Sequence, residues 1–310
     1  MTKVSFVCPV YNKKKYLNNV LNSIKSQLGS FDKEYIFIND GSNDGSLEFI
    51  KEKTKNWKNT LILSQTNKGP ASATQKGILN STGDYIKLVG GDDIMAPNCT
   101  EMLTDTILKT KSIAVFSNYK LYNKTSDIHF VNNKIKNIKI IKKPLLSTIK
   151  SSFSGTTPNL YSNEFIKKSG GCDTRLFVED FSLVLRLSKF GYFSFIENIT
   201  SYGPKEDENR IMIGKKNQLI HDFNAAVYYY IKDNPNLPKT IKRIACIKCL
   251  GRSEKWYRRE LKKTFFTKIN LLRLKYYLFQ NKEEQLIKDS CKVFYDDTSK
   301  KMHKIRYKVL

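Results

Sequence analysis

Over residues 1–120, short apolar runs alternate with segments whose apolar residues recur at helical spacing. VSFVCPV (4–10) predicts a buried strand and YLNNVLNSIKSQL (16–28) a helix. YIFIND (35–40) predicts a second strand, SLEFIKEKTKNW (46–57) a helix, LILSQ (61–65) a third strand and PASATQKGILNST (70–82) another helix. YIKLV (85–89) and SIAVFSNYKLY (112–122) add two more strands, with a helix between them from about Pro97, a residue suited to a first turn. This alternation predicts βαβ units and a mostly parallel sheet, an α/β fold.

Beyond residue 120 the pattern loosens. Residues 123–150 are rich in Lys and Asn and predict a connection, GYFSFIEN (191–198) predicts a strand, and SYGPKEDENRIMIG (201–214) a mobile loop. From 215 the chain reads as helices, with the basic amphipathic stretch EKWYRRELKKTFFTKINLLRLKYYLF at 254–279. The expected organisation is a domain over 1–214, with halves at 1–120 and 151–214, followed by a basic helical region over 215–310.

In open sheets of this kind, ligands bind outside the carboxyl ends of the strands. Four polar loops follow the first four strands: Pro9-Val10-Tyr11-Asn12, Asn39-Asp40-Gly41-Ser42, Asn67-Lys68-Gly69-Pro70 and Gly90-Gly91-Asp92-Asp93. They predict one site at one sheet edge. Two adjacent carboxylates on an apolar strand repel each other unless a cation intervenes. Asp92 and Asp93 therefore suit Mn²⁺ or Mg²⁺, hard ions that share oxygen ligands with a substrate's phosphates. The alternative is that they cap the helix near Pro97. Asp40 reads either as an acceptor for a base or ribose, or as an Asx turn or helix cap.

Charge adds a second theme. The 310 residues hold 54 Lys and Arg against 29 Asp and Glu, a net charge of +25, and residues 239–310 hold 21 against 7. Such a tail suits nucleic acid, an anionic membrane face or a phosphorylated substrate, or else consists of solvated helix faces. Six scattered cysteines fit a reducing compartment. Cys246 and Cys249 form a lone CxxC with no nearby His, and in a helix that spacing puts both on one face. Neither an apolar run of about 18 residues nor a secretory leader pattern is seen, so the expected location is the cytoplasm. A P-loop, a GxGxxG after the first strand and a GxSxG elbow are missing. His129, His221 and His303 lie far apart in sequence.

VSFVCPVYN (4–12), YIFINDGSNDGS (35–46), NKGPASATQKG (67–77), GDYIKLVGGDD (83–93) with Pro97, and GGCDTRLFVEDFSLVLRL (170–187) run in an order and spacing that resemble family 2 glycosyltransferases. The resemblance implies a GT-A fold, a Rossmann-like mostly parallel sheet with a helical C-terminal extension. It also implies sugar transfer from a nucleotide-sugar donor, UDP-linked, to a glycan or lipid-linked saccharide, metal-assisted and with inversion. By position, Pro9, Val10, Tyr11, Asn12 and Asp40 would line the base pocket. Lys68 and Gly69 would lie near the nucleotide, Asp92 and Asp93 would grip the metal and diphosphate, and Asp180 would be the catalytic base with Glu179 beside it. Asn39 and Gly90 stand where the family commonly has Asp, and Thr74-Gln75 where it often has Arg-Asn. Some enzymes of this fold use a late His on the metal, a role open to His221.

The rival expectation is a basic nucleic-acid-binding protein on a catalytically silent fold. Acids at the four-loop edge would repel phosphates without a cation, so no nucleic acid is expected. Since acceptors of bacterial members are often lipid-linked, residues 254–279 are the candidate contact with an anionic membrane. The alternative is a helix packed on the catalytic domain.

Overall fold

The computed structural model describes residues 2–130, 134–153, 155, 157–205, 216–260, 262, 267–278, 282–295, 305 and 307–309. Its first half follows the expected alternation: β1 (Lys3–Val10), α1 (Lys14–Lys25), β2 (Asp32–Asn39), α2 (Ser46–Thr54), β3 (Thr60–Ser64), α3 (Pro70–Asn80), β4 (Tyr85–Leu88), β5 (Ile94–Met95), α4 (Cys99–Thr110) and β6 (Ala114–Tyr122). Then come β7 (Ile138–Ile141), α5 (Pro144–Lys150), β8 (Asn159–Ser162), α6 (Asn163–Lys168), α7 (Glu179–Leu187) and β9 (Phe193–Pro204). Four helices follow: α8 (Lys216–Asp233), α9 (Lys239–Glu260), α10 (Lys268–Leu278) and α11 (Glu283–Lys292).

The strands form one sheet in the order β3-β2-β1-β4-β8-β6-β9-β5, with β7 on β9. Pairing is parallel from β3 through β4, antiparallel on both sides of β8, and parallel again between β6 and β9. Side chains alternate between two cores, as the two-residue strand period requires. Val4, Phe6 and Cys8 pack with α1 and α4 on one face, through Leu17, Val20 and Leu103. Val7, Ile36 and Ile38 pack with α3 and α7 on the other, through Ala71, Ile78 and Leu183. With both faces of the parallel half buried, its strands read as near-continuous apolar runs. Gly77 brings α3 close to β1: a Cβ there would lie 2.3 Å from Val7 Cγ1.

Three expectations change. The connection over 123–150 contains β7 and α5, whose four and seven residues fall below the length at which periodicity identifies an element. The loop expected at 201–214 begins as strand, since β9 runs to Pro204, while 206–214 lie outside the described residues. The single helix at 254–279 is two helices, with 261, 263–266 and 279 outside the described residues.

A third core unites the helical region with the segment before it. Ile149, Leu176, Val178, Phe181 and Leu185 pack with Ala225, Trp256, Ile287 and Phe294. This core crosses the boundary expected between 214 and 215. Cys246 and Cys249 are both buried in it as free thiols, small apolar side chains on one helix face.

Candidate active site

The first two loops are locked together at the ends of β1 and β2. Asn12 adopts a left-handed conformation, φ 51°, which its short polar side chain tolerates. Its N–H donates to Ser42 Oγ at 3.0 Å and its Oδ1 accepts from the Asn43 N–H at 2.9 Å. The Lys13 N–H donates to Ser46 Oγ at 2.9 Å and the Lys14 N–H to Asp44 Oδ2 at 2.9 Å. Pro9, Val10, Tyr11 and Asn12 thus end β1 beside the Asp40 loop, Val10 buried and the other three half-buried.

Asp40 organises the third loop. Its Oδ1 accepts from Gln65 Nε2 at 2.8 Å and the Lys68 N–H at 2.9 Å, and its Oδ2 from the Gly69 N–H at 2.9 Å. These bonds reach a loop 25 to 29 residues on, so they make neither an Asx turn nor a cap of the helix that follows β2. Lys68 is exposed and Gly69, at φ 89°, is buried. Tyr307, from the far end of the chain, donates to the Lys68 carbonyl at 2.9 Å.

The two acids after β4 differ sharply. Asp92 Oδ2 lies 2.6 Å from Lys13 Nζ, and their side chains are 14% and 5% exposed. Gly91 makes room for this lysine: a Cβ at 91 would sit 3.2 Å from Lys13 Cγ. Asp93 is buried, with Oδ1 accepting from the Tyr119 hydroxyl at 3.1 Å and Oδ2 from the Thr157 hydroxyl. The Gly90 N–H donates to Thr157 Oγ1 at 2.9 Å, and a Cβ at 90 would lie 2.6 Å from Asp93 Oδ2. Behind Thr157, the fully buried Lys87 Nζ donates to its carbonyl. Burial pushes the Lys87 ammonium below its ordinary range, against the opposing pull of Cys99 and Asp93.

A divalent cation at such a site draws one or two carboxylates from the protein and the rest of its oxygens from phosphates and water. Asp92 offers one carboxylate already bound to an ammonium, both Asp93 oxygens hold hydroxyls, and Gly90 brings no side chain. Among the described residues no group of three or more His, Cys, Asp or Glu could hold a metal. These side chains do not fit the Mn²⁺ or Mg²⁺ site expected of Asp92 and Asp93. His221 does not supply the missing ligand: it is fully buried, with Nδ1 2.7 Å from Asp222 Oδ1 and Nε2 3.2 Å from the Tyr295 hydroxyl.

Glu179 and Asp180 open α7, both half-buried. Asp180 Oδ2 accepts from the Gly155 N–H at 2.7 Å and Oδ1 from the Phe181 N–H at 2.7 Å. Burial raises its pKa above the ordinary aspartate value, although these backbone hydrogen bonds pull it down. The preceding turn is held by Asp222, whose Oδ2 accepts from the Phe177 N–H at 2.6 Å and the Val178 N–H at 3.3 Å.

Thr157 therefore touches one acidic motif, at Asp93, and Gly155 the other, at Asp180. Gln75 also bridges the two halves: its Oε1 accepts from the Cys172 N–H at 2.8 Å and its Nε2 donates to the Gly170 carbonyl at 3.2 Å. The sequence did not single out Lys13, Thr157, Gly155 or Asp222. Lys13 opens the run Lys13-Lys14-Lys15, and the burial of one member of such a run is not written in its composition.

The model of glycosyl transferase family 2 matches residues 5–170. The poly-β-1,6-N-acetyl-D-glucosamine synthase of Staphylococcus epidermidis is 27% identical over 197 residues, covering 61% of this chain and 46% of its own. Glycosyltransferase GlyA of Streptococcus pneumoniae is 30% identical over 128 residues, 41% of this chain and 18% of its own. This chain thus spans less than half the length of either relative. Among solved structures, S. aureus TarS 1–349 superposes with a TM-score of 0.63 at 16% identity, over 95% of this chain and 83% of its own. The same TarS piece has been solved with UDP-GlcNAc. The TarS likeness carries the GT-A-like fold, and the family model covers the β1 to β8 site loops together. The chain belongs to glycosyl transferase family 2.

Proposed function

We propose that this chain transfers a sugar from a UDP-linked donor to a glycan or lipid-linked saccharide acceptor, with inversion at the anomeric carbon. The observation that carries the reading is that Thr157 holds Asp93, at the carboxyl end of β4, while Gly155, two residues away, holds Asp180 at the start of α7. Donor and base motifs held by residues this close suit a reaction between a bound nucleotide and an incoming hydroxyl. The UDP and UDP-GlcNAc complexes of TarS support a uridine donor.

In this reading the acceptor hydroxyl attacks the anomeric carbon while its proton passes to the Asp180 carboxylate. The bond from that carbon to the β-phosphate oxygen breaks, and UDP departs with the electron pair. One displacement inverts the centre. A carboxylate whose pKa is raised toward the working pH is a better general base than an ordinary aspartate. Glu179 adds negative charge beside it. Pro9 to Asn12, Asp40, Lys68 and Gly69 form the nucleotide cradle, with Asp40 acting by shaping the 67–69 loop. No step is assigned to a divalent ion, because the donor set does not suit one.

No helix among the described residues is long and apolar enough to cross a membrane. Leu271, Leu274 and Leu278 lie exposed on one side of α10, with Lys268 and Lys275 exposed nearby. They are the proposed contact with an anionic membrane that would present a lipid-linked acceptor.

The test is UDP release from UDP-GlcNAc, UDP-glucose and UDP-galactose, in the presence of membrane lipid extract. Release from one donor that vanishes in Asp180→Asn is the expected result. A folded wild-type protein that releases UDP from none, and whose melting temperature UDP leaves unmoved, would remove this reading.

A further inference from the structure

A diphosphate leaving group needs positive charge at the carboxyl ends of β1 and β4, and the structure places a buried amine there. Lys13 follows directly on the Tyr11-Asn12 loop and reaches the motif after β4, where Nζ meets Asp92 Oδ2 at 2.6 Å. Its backbone is fixed by Ser46, and its stem crosses Gly91, where any side chain would crowd it. The Tyr16 ring lies under the ammonium, with Nζ 5.5 Å from its centroid.

We propose that Lys13 Nζ, and not a divalent ion, is the cation that meets the donor diphosphate, so that donor binding needs no metal. This rests on the nucleotide-sugar reading given above. An ammonium has three donor protons. One can stay on Asp92 while the others turn to phosphate oxygens, so the pair need not break. Asp92 then acts as a positioning residue that holds the lysine head in place. The missing acid at Gly90 follows the same logic: a site that supplies its own cation has no use for another metal ligand. A carboxylate on position 90 would also collide with Asp93, which is committed to Thr157 and Tyr119.

Isothermal titration of the full chain with UDP, GDP and uridine, each in EDTA and in Mn²⁺, tests this. The expected result is that UDP binds with the same affinity in both. Lys13→Gln should weaken UDP about tenfold or more, the scale of a lost charge-assisted hydrogen bond, while leaving uridine unchanged. Lys13→Arg should keep most of the UDP affinity. UDP binding that requires Mn²⁺, or that Lys13→Gln leaves unchanged, overturns the assignment and leaves the proposed transfer reaction standing. Binding of neither nucleotide under either condition, by protein with an unaltered melting transition, removes both. Should Lys13→Gln fail to fold, the wild-type comparison between EDTA and Mn²⁺ decides alone.

Discussion

The Gly155 N–H donates to Asp180 Oδ2 at 2.7 Å, and two residues on, the Thr157 hydroxyl donates to Asp93. Gly155 and Thr157 thus set the position of the proposed base and steady Asp93 after β4. Asp180→Asn keeps the shape of the side chain and removes the proton acceptor. The expected loss in kcat is about 10²- to 10⁴-fold, the usual worth of a general base, with UDP affinity retained. Because burial raises the pKa of Asp180, the rising limb of kcat/KM against pH should lie above the ordinary aspartate value of about 3.9. Activity rises with pH because the charged form is the active one. A limb at the ordinary value would show that burial does not tune this group.

Thr157→Val tests the contact to Asp93. It strips the donor from Asp93 Oδ2 and the acceptor from the Gly90 N–H while nearly conserving shape. Leaving such buried groups unpaired costs about 1–3 kcal/mol, so urea unfolding should show a loss on that scale. Unchanged stability would mean that water replaces the hydroxyl.

Glu34 provides a pH signature remote from the chemistry. Burial alone would raise its pKa, but hydrogen bonds from Ser5 Oγ, the Thr82 N–H and hydroxyl, and Lys3 Nζ outweigh it and bring the value down to about 2. An unfolded Glu titrates near about 4.3. The stabilisation is therefore present above that value and disappears as pH falls toward about 2. Melting curves of wild type and Glu34→Gln should differ at neutral pH and converge across that window. Curves that run parallel down to pH 2 would contradict the assignment.

Asp222 links the helical region to the base. It receives the Phe177 and Val178 N–H groups and lies 2.7 Å from His221 Nδ1, while His221 Nε2 lies 3.2 Å from the Tyr295 hydroxyl. Tyr295 in turn accepts from the Val309 N–H at 2.7 Å. Asp222→Asn loses one acceptor and should lower kcat with little change in the KM for the donor, since the turn it holds leads to Asp180 and not to the nucleotide loops. A rise in donor KM at constant kcat would place its influence elsewhere.

Residues 1–120 were legible because βαβ units with both sheet faces covered write long apolar runs and helical periods into the chain. Asn159–Ser162 and Ile94–Met95 were not, being too short to show a period, although the first sits between β4 and β6 and joins the two halves of the sheet. The site loops were legible as Gly/Asn/Asp clusters at strand ends. Their internal division of labour was not: Asp92 and Asp93 are chemically identical in the sequence, and only the arrival of Lys13 at one and of Thr157 and Tyr119 at the other separates them. Those partners come from 79, 64 and 26 residues away, a separation that no local pattern records.

The α10 surface yields the last expectation. Ile269 and Leu272 face the helical core, whereas Leu271, Leu274 and Leu278 are 54%, 53% and 64% exposed. Their i, i+3, i+7 spacing puts the three on one stripe, and Lys268 and Lys275 flank it. Near an anionic surface each lysine contributes about 1 kcal/mol, an effect that fades as the screening length shrinks from about 10 Å at 0.1 M salt to about 3 Å at 1 M. The chain should therefore float with vesicles containing phosphatidylglycerol at low salt and less so at high salt, and not with purely zwitterionic vesicles. Replacing Leu271, Leu274 and Leu278 together by Ser should abolish flotation while leaving UDP binding intact, since none of the three belongs to the nucleotide loops. Undiminished flotation of that variant would move the contact to another basic surface, and no flotation of wild type at low salt would end the membrane proposal.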